Sequence, residues 1–269
     1  MSRIKRTQRI IGLTKQIIDN PAHLFSLTDF CKQYQVAKST MSEDIQTIRS
    51  AFEDLNFGVI ETVPGANGGI RYLPIGDEAR ETADLESIAQ MLRHSDRILP
   101  GGFLYMNDIL FSPQICEKLA QAFYTRMRHL KPNYILTLET KGIPIALMVA
   151  RTFGIPLLTA RRGSKVTEGS ALSINYVSGS TRMVQTMSLP KRSLPMGARV
   201  LIIDDFMRAG GTAQGLIALV REFDASPVGV GVLVTTKTPA DKLVRDHMGL
   251  FMLNGVDESR KNVDINLIK

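Results

Sequence analysis

Residues 199–212 read RVLIIDDFMRAGGT, and they bring two kinds of chemistry into one stretch. A basic residue leads into an apolar, β-branched run that ends on two adjacent acids, Asp204 and Asp205. A turn and a small-residue loop follow, through Phe206, Met207, Arg208, Ala209, Gly210, Gly211 and Thr212. Ala209, Gly210 and Gly211 carry little or no side chain, so backbone N–H groups there can close on an anion. Strand, loop and helix in that order place a phosphate at a helix N-terminus, outside the carboxyl end of a parallel strand. Thr212 can cap that helix and donate its hydroxyl to the same phosphate. Two adjacent carboxylates beside a phosphate need donors of their own, and ribose hydroxyls, one phosphate-to-ribose span away, supply them. The stretch therefore reads as a sugar-phosphate cradle.

The elements that must hold this cradle follow from hydrophobic periodicity. Residues 77–269 alternate strand and helix. Helices are expected over 80–95, 113–129, 143–153 (Pro144 tolerated in the first turn), 212–224 and 239–247. Strands are expected over 134–139, 155–160, the RVLIID run, 228–236 and 249–253, with 97–108 a loop. The polar, Gly- and Ser-rich 161–189 suits a long two-stranded excursion. Near-continuous apolar strands alternating with helices imply a parallel sheet covered on both faces.

Residues 1–74 have a different pattern. Ile10, Leu13, Ile17 and Ile18 recur at helical spacing until Asn20-Pro21. SLTDFCKQY (26–34) is a short helix with Thr28 as the expected N-cap. In STMSEDIQTIRSAFEDL (39–55), Met41, Ile45, Ile48 and Phe52 form one helical face. Two β-prone runs, 59–63 and 70–73, flank Pro64 to Gly69 as a hairpin. Three helices and a glycine-tipped hairpin make a winged helix-turn-helix. Its second helix would enter a DNA major groove while the wing touches backbone or minor groove. Lys38, Ser39, Thr40 and Ser42 then face the duplex, with Arg71 on the wing and Arg3, Lys5, Arg6 and Arg9 on the N-terminal arm and first helix. Such a domain can also serve protein contacts.

Charge favours the DNA reading. The 269 residues carry a net charge of +7 with 44% apolar and 22% charged residues, which argues against wholesale disorder and for anionic partners. Residues 1–15 hold five basic residues and no acid. A second excess, Arg161, Arg162, Lys165, Arg182, Lys191 and Arg192 against Glu168 alone, lies between 161 and 192. Cys31 and Cys116 form no paired motif and read as reduced thiols. The four histidines have no zinc spacing. Without a signal-peptide pattern or a membrane-length apolar run, a cytoplasmic chain is expected.

The 199–212 stretch resembles the phosphoribosyl pyrophosphate (PRPP) loop of the type I phosphoribosyltransferases, whose pattern is four apolar residues, two acids, three variable positions and Thr-Gly-Gly-Thr. Here Ala209 replaces the first Thr and Arg208 stands where a small residue is common. The resemblance implies a pyrophosphate loop at LETKGIP (138–144), with Thr140, Lys141 and Gly142 meeting the pyrophosphate. It also implies a mobile hood over 161–189, with Arg161 and Lys165 as phosphate contacts. The whole chain resembles the purine operon regulators of Gram-positive bacteria, through LFSLT, AKSTMSEDI, TVPGANGG, RILPGG, TKGIP, KVTEGSALSINYVSGST, QTMSL and VLIIDDFMRAGGT.

That resemblance implies an α/β chain with a winged helix-turn-helix at 1–74 and a type I phosphoribosyltransferase-like parallel-sheet domain at 75–269. It implies a homodimer on double-stranded operator DNA, away from membranes. PRPP would be an effector, accompanied by Mg²⁺, with no required cofactor, no catalytic residue and no protein metal site. Most such regulators repress and PRPP lifts repression, while some in lactic-acid bacteria activate. The alternative is an active purine phosphoribosyltransferase with an appended winged domain. Phe206 and Met207 offer that reading a stacking face for a base. Against it, no base-reading segment is evident after 236, and Glu139 would repel a leaving pyrophosphate.

Overall fold

The computed structural model describes residues 4–65, 68–163, 169–177 and 183–268. Arg3 and Lys165 lie outside them, as do Ala66 and Asn67 at the expected hairpin tip. The chain forms two compact units, one of Met1–Arg80 with Arg151–Gly154, the other of Glu81–Ala150 with Ile155–Lys269.

In the N-terminal unit, α1 (Arg6–Asp19), α2 (Leu27–Tyr34) and α3 (Lys38–Asp54) precede an antiparallel hairpin of β1 (Val59–Val63) and β2 (Gly69–Leu73). The stripe Met41, Ile45, Ile48 and Phe52 is buried against Leu13, Ile17, Phe30, Ile60 and Ile70, which fixes α3 between α1 and the hairpin. Gln35, at φ +52°, ends α2 in the left-handed conformation and opens the short turn into α3. The N-cap of α2 is Ser26 rather than Thr28. Thr28 falls inside the first turn because the helix begins at Leu27, two residues earlier than a Thr28 cap would require.

The second unit begins its helices with α4 (Glu78–Leu92). The expected loop at 97–108 is instead ordered. Two short strands, β3 (Ile98–Leu99) and β4 (Phe103–Leu104), pair antiparallel, and α5 (Asn107–Leu110) follows. Arg97 organises this segment. Its guanidinium takes both Asp108 oxygens at 2.6 and 2.7 Å and also donates to the Met91 and Tyr105 carbonyls.

Then come α6 (Pro113–Met127), β5 (Tyr134–Leu138), α7 (Ile143–Phe153), β6 (Leu157–Arg162), β7 (Ala171–Val177), β8 (Val184–Pro190), β9 (Arg199–Met207), α8 (Gly211–Arg221), β10 (Ser226–Thr236), β11 (Met248–Asp257) and β12 (Asn262–Leu267). The sheet order is β12-β11-β10-β9-β5-β6-β8-β7. Its centre, β11 to β6, is parallel, as the continuous apolar runs require. Both edges are antiparallel: β12 on β11, and the β7–β8 pair on β6. The described strands within 161–189, β7 and most of β8, thus extend the sheet.

Two expectations fail here for physical reasons. The segment 239–247 is not helical, because its donors are committed elsewhere: the Leu243 amide bonds the Ala209 carbonyl at 2.9 Å and Lys242 reaches the Arg208 carbonyl. β9 runs on to Met207 instead of turning after Asp205, because β10 is long enough to pair it as far as Met207–Thr235. Among the described residues no helix is long and apolar enough to cross a membrane. Cys31 and Cys116 are free thiols, and burial pushes the Cys116 thiol up to about 11.

Candidate functional site

The site is set by topology. From β5 the chain winds outward through β6 on one side, whereas β9 leads outward through β10 and β11 on the other. The strand order therefore reverses between β5 and β9, where open α/β sheets bind ligands at the carboxyl ends of their strands. The two strands pair only over Tyr134–Leu136 and Val200–Ile202. Beyond that they part, and a cleft of about 550 Å³ opens above them. Asp204, Asp205, Phe206, Met207, Arg208, Ala209, Gly210, Gly211 and Thr212 all line it, facing Thr140, Lys141 and Glu139 from the loop after β5. Phe103, Leu104 and Met106 form a further wall, held in place by the Arg97 staple.

Each loop is shaped by a glycine that tolerates no side chain. Gly210 precedes α8 at φ +85°, and a Cβ there would stand 3.2 Å from the Val244 amide nitrogen. A Cβ on Gly142 would strike the Thr137 hydroxyl and come 3.3 Å from an Asp204 oxygen. Gly142 does not itself line the cleft but lets the loop settle onto Thr137 and Asp204. Among the described residues, the Thr137 hydroxyl is buried without a hydrogen-bond partner. The N-cap of α8 is Gly210 rather than Thr212, which is the second helical residue. The first amides of α8 thus carry no side-chain cap.

Asp204 is 7% exposed. Burial and the neighbouring Asp205 charge hold its pKa well above the usual carboxylate range, although its Oδ1 accepts the Asp205 amide at 3.0 Å. An acidic pair of this kind, Asp204 buried and Asp205 half-buried, is poised for a ligand that brings hydroxyl donors or positive charge. Tyr176 on β7 is buried in the core beside α8, and its hydroxyl donates to Gln185 Oε1 at 2.8 Å. The Arg162 amide donates to Glu139 Oε1 at 2.8 Å, so Glu139 ties the pyrophosphate-loop candidate to β6.

Arg162, and not Arg161, lines the cleft. Adjacent strand residues face opposite sides, and Arg162 shares its parity with buried Ala160. Sequence reasoning also missed Thr137, Phe103 and Lys242. Strand parity was the available signal for the first; the other two lie in segments whose elements were misread.

In the N-terminal unit, Lys38, Ser39 and Ser42 are exposed on the first turns of α3, Thr40 is half-buried and Lys5 is exposed. The Ser42 hydroxyl donates back to the Lys38 carbonyl at 2.9 Å. Arg9 corrects the sequence reading: it is 6% exposed and paired with fully buried Asp44, so it faces the core. Arg6 joins the same carboxylate at 3.1 Å, and Arg71 pairs with Glu61 across the wing. Among the described candidates, the free positive charge of this face is thus smaller than the sequence suggested, and it sits at Lys5 and Lys38.

Two family models match the chain, one described as the N-terminal domain of the bacterial purine repressor over residues 5–74, the other as a phosphoribosyl transferase domain over 106–264. Over 263 residues the chain is 41% identical to the purine biosynthesis transcriptional repressor PurR of Bacillus subtilis, covering 98% of this chain and 92% of that protein. The chain belongs to the PurR family of purine biosynthesis transcriptional regulators. It is also 38% identical, over 98% of its length and 97% of the relative's, to the Lactococcus lactis transcriptional activator PurR. These PurR relatives carry opposite signs of regulation, so family membership leaves this chain's sign open. The second unit has the type I phosphoribosyltransferase fold: adenine phosphoribosyltransferase from Saccharomyces cerevisiae superposes with a TM-score of 0.54 over 62% of this chain and 97% of that one, at 20% identity. At that identity the likeness is one of fold. In PurR terms, the winged unit and the cleft-bearing unit are the two halves of one regulator.

Proposed function

We propose that this chain regulates purine biosynthesis genes by binding operator DNA through its winged unit, and that its cleft binds PRPP as an effector rather than as a substrate. The supporting observation is the arrangement at the β5–β9 switch point. Two anion-receptive loops, 139–142 and 208–212, flank one acidic pair in a single cleft. PRPP has the matching order: a 5-phosphate, a ribose with adjacent hydroxyls, and a pyrophosphate. The 5-phosphate meets the amides before α8, Asp204 and Asp205 accept the ribose hydroxyls, and Thr140, Lys141 and Arg162 face the pyrophosphate.

Mg²⁺ suits this set as a companion of the ligand. Among the described residues no group of three or more His, Cys, Asp and Glu could hold a metal, and Mg²⁺ characteristically takes one or two carboxylates plus substrate phosphates. When bound, it neutralises pyrophosphate charge beside the acidic pair. A homodimer follows from the two-fold logic of helix-turn-helix operators.

The DNA half is tested at Lys38. Lys38→Ala is expected to weaken operator binding several-fold and roughly uniformly across sequences, and to reduce the salt slope by about one, as loss of one phosphate contact does. Measured by fluorescence anisotropy at several salt concentrations, an unchanged slope would remove Lys38 from the interface. PRPP affinity should stay as in the wild type.

A second reading, active purine phosphoribosyl transfer, is favoured by the transferase-domain match and by the aromatic walls Phe103 and Phe206 in the cleft. Incubation with PRPP, Mg²⁺ and adenine, guanine, hypoxanthine or xanthine separates the two. Nucleotide formed at enzyme-like rates would favour transfer.

A further inference from the structure

The phosphate loop is braced from behind by 237–247, the segment whose helical pattern is not realised. Lys242 Nζ donates to the Arg208 carbonyl at 2.6 Å and the Pro239 carbonyl at 3.1 Å, and lies 3.4 Å from Thr236 Oγ1. The Thr236 hydroxyl lies 3.3 Å from the Arg208 carbonyl and closer, at 2.8 Å, to the Thr238 carbonyl. The next carbonyl, Ala209, accepts the Leu243 amide at 2.9 Å, and the third, Gly210, accepts Gln214 at the start of α8. The strap is anchored at its far end by His247, whose ring bridges the Val244 carbonyl and the Thr235 hydroxyl at 3.1 Å each.

A trans peptide holds its C=O and N–H in opposite directions. Fixing the Arg208, Ala209 and Gly210 carbonyls therefore fixes the amides of Ala209, Gly210 and Gly211. With the first two carbonyls drawn back to the strap, the Ala209 and Gly210 amides turn to the cleft side. Among the described residues neither amide donates to a backbone carbonyl.

We propose that Lys242 is a positioning residue for the phosphate loop: its ammonium, with the Leu243 amide, holds the loop carbonyls away from the cleft so that successive amides converge on an incoming phosphate. It acts through the loop and does not touch the ligand. Lys242 is also half-buried, and burial lowers its pKa, consistent with an ammonium drawn off the surface toward carbonyls. The idea rests on the sugar-phosphate reading of the cleft.

The test uses the full chain, with ribose 5-phosphate and inorganic pyrophosphate as separate probes for the two loops. In Lys242→Met, ribose 5-phosphate affinity by calorimetry should fall by at least about tenfold, as expected when hydrogen bonds from a charged donor are lost. Pyrophosphate affinity and melting temperature should hold. Lys242→Arg, which keeps a cationic donor on the strap, should recover most of the loss. In amide NMR, the Gly210 and Gly211 shifts that ribose 5-phosphate induces in the wild type should shrink in the Met variant. Wild-type affinity in Lys242→Met overturns the proposal, as does an equal loss for both probes accompanied by a lowered melting temperature. A wild type that binds neither probe fails the sugar-phosphate reading itself, a separate outcome.

Discussion

Asp204→Ala is expected to weaken PRPP binding by at least about a hundredfold and to abolish the PRPP response of DNA binding, while affinity for operator DNA without PRPP stays unchanged. The substitution removes acceptors for ribose hydroxyls, and hydrogen bonds to charged groups carry about 1.5–3 kcal/mol each. It also sits in the unit that does not carry the winged helices. Calorimetric titration with PRPP and Mg²⁺, and anisotropy on labelled operator, read the two effects separately.

The same residue makes a stability prediction of opposite sign. Burial and the Asp205 charge raise the Asp204 pKa in the folded chain, so without ligand the folded protein holds a proton that the unfolded chain releases. That contribution is fully present below the unfolded carboxylate value of about 3.9 and is lost as pH rises through the raised folded value. Asp204→Asn keeps the shape and removes the titration. Its melting temperature should exceed the wild type's at neutral pH, and its fall in stability above about pH 4 should be flatter. Higher stability joined to lost binding is the pattern of a site that stores electrostatic strain for its ligand.

Asp44→Ala is the second large effect. Asp44 is fully buried and accepts from Arg9, itself buried, and from Arg6. Removing the carboxylate leaves the Arg9 guanidinium buried without its partner, at a cost of about 3–5 kcal/mol. That is a large share of what a domain of this size holds. The winged unit should unfold at lower urea than the other unit, and operator binding should be lost with it. The double variant Arg9→Met, Asp44→Leu replaces the buried pair with apolar side chains and should recover most of the stability. Failure of the double variant to recover would mean that the pair does more than satisfy buried charge.

How far the sequence could be read depended on whether local pattern and long-range bonding agreed. They agree in α3, where Met41, Ile45, Ile48 and Phe52 recur at helical steps and all are buried. They agree again from Asp204 to Thr212, where every residue lines the cleft. The Arg9 misreading was avoidable, since Arg9, Leu13 and Ile17 are spaced by four and share one buried face. Asp44 likewise sits inside the α3 stripe. Composition alone assigned Arg9 to a basic arm, but its register assigns it to the core. The 239–247 segment is different. Its apolar spacing suits a helix, yet its donors are taken by carbonyls more than thirty residues earlier in the chain. β12 was missed although legible: NVDINL alternates polar and apolar, and Val263 and Ile265 are buried where the strand pairs with β11.

The proposed coupling joins an anion cleft to a DNA-binding unit within one chain. It is tested most directly by titrating the full-length protein onto purine-gene upstream DNA at fixed salt, with and without PRPP and Mg²⁺. The expected result is specific binding whose affinity shifts about 5- to 150-fold with PRPP, the range of a coupling of about 1–3 kcal/mol. By reciprocity, operator DNA then shifts PRPP affinity by the same factor. Specific DNA binding with the same affinity at saturating PRPP would contradict the account.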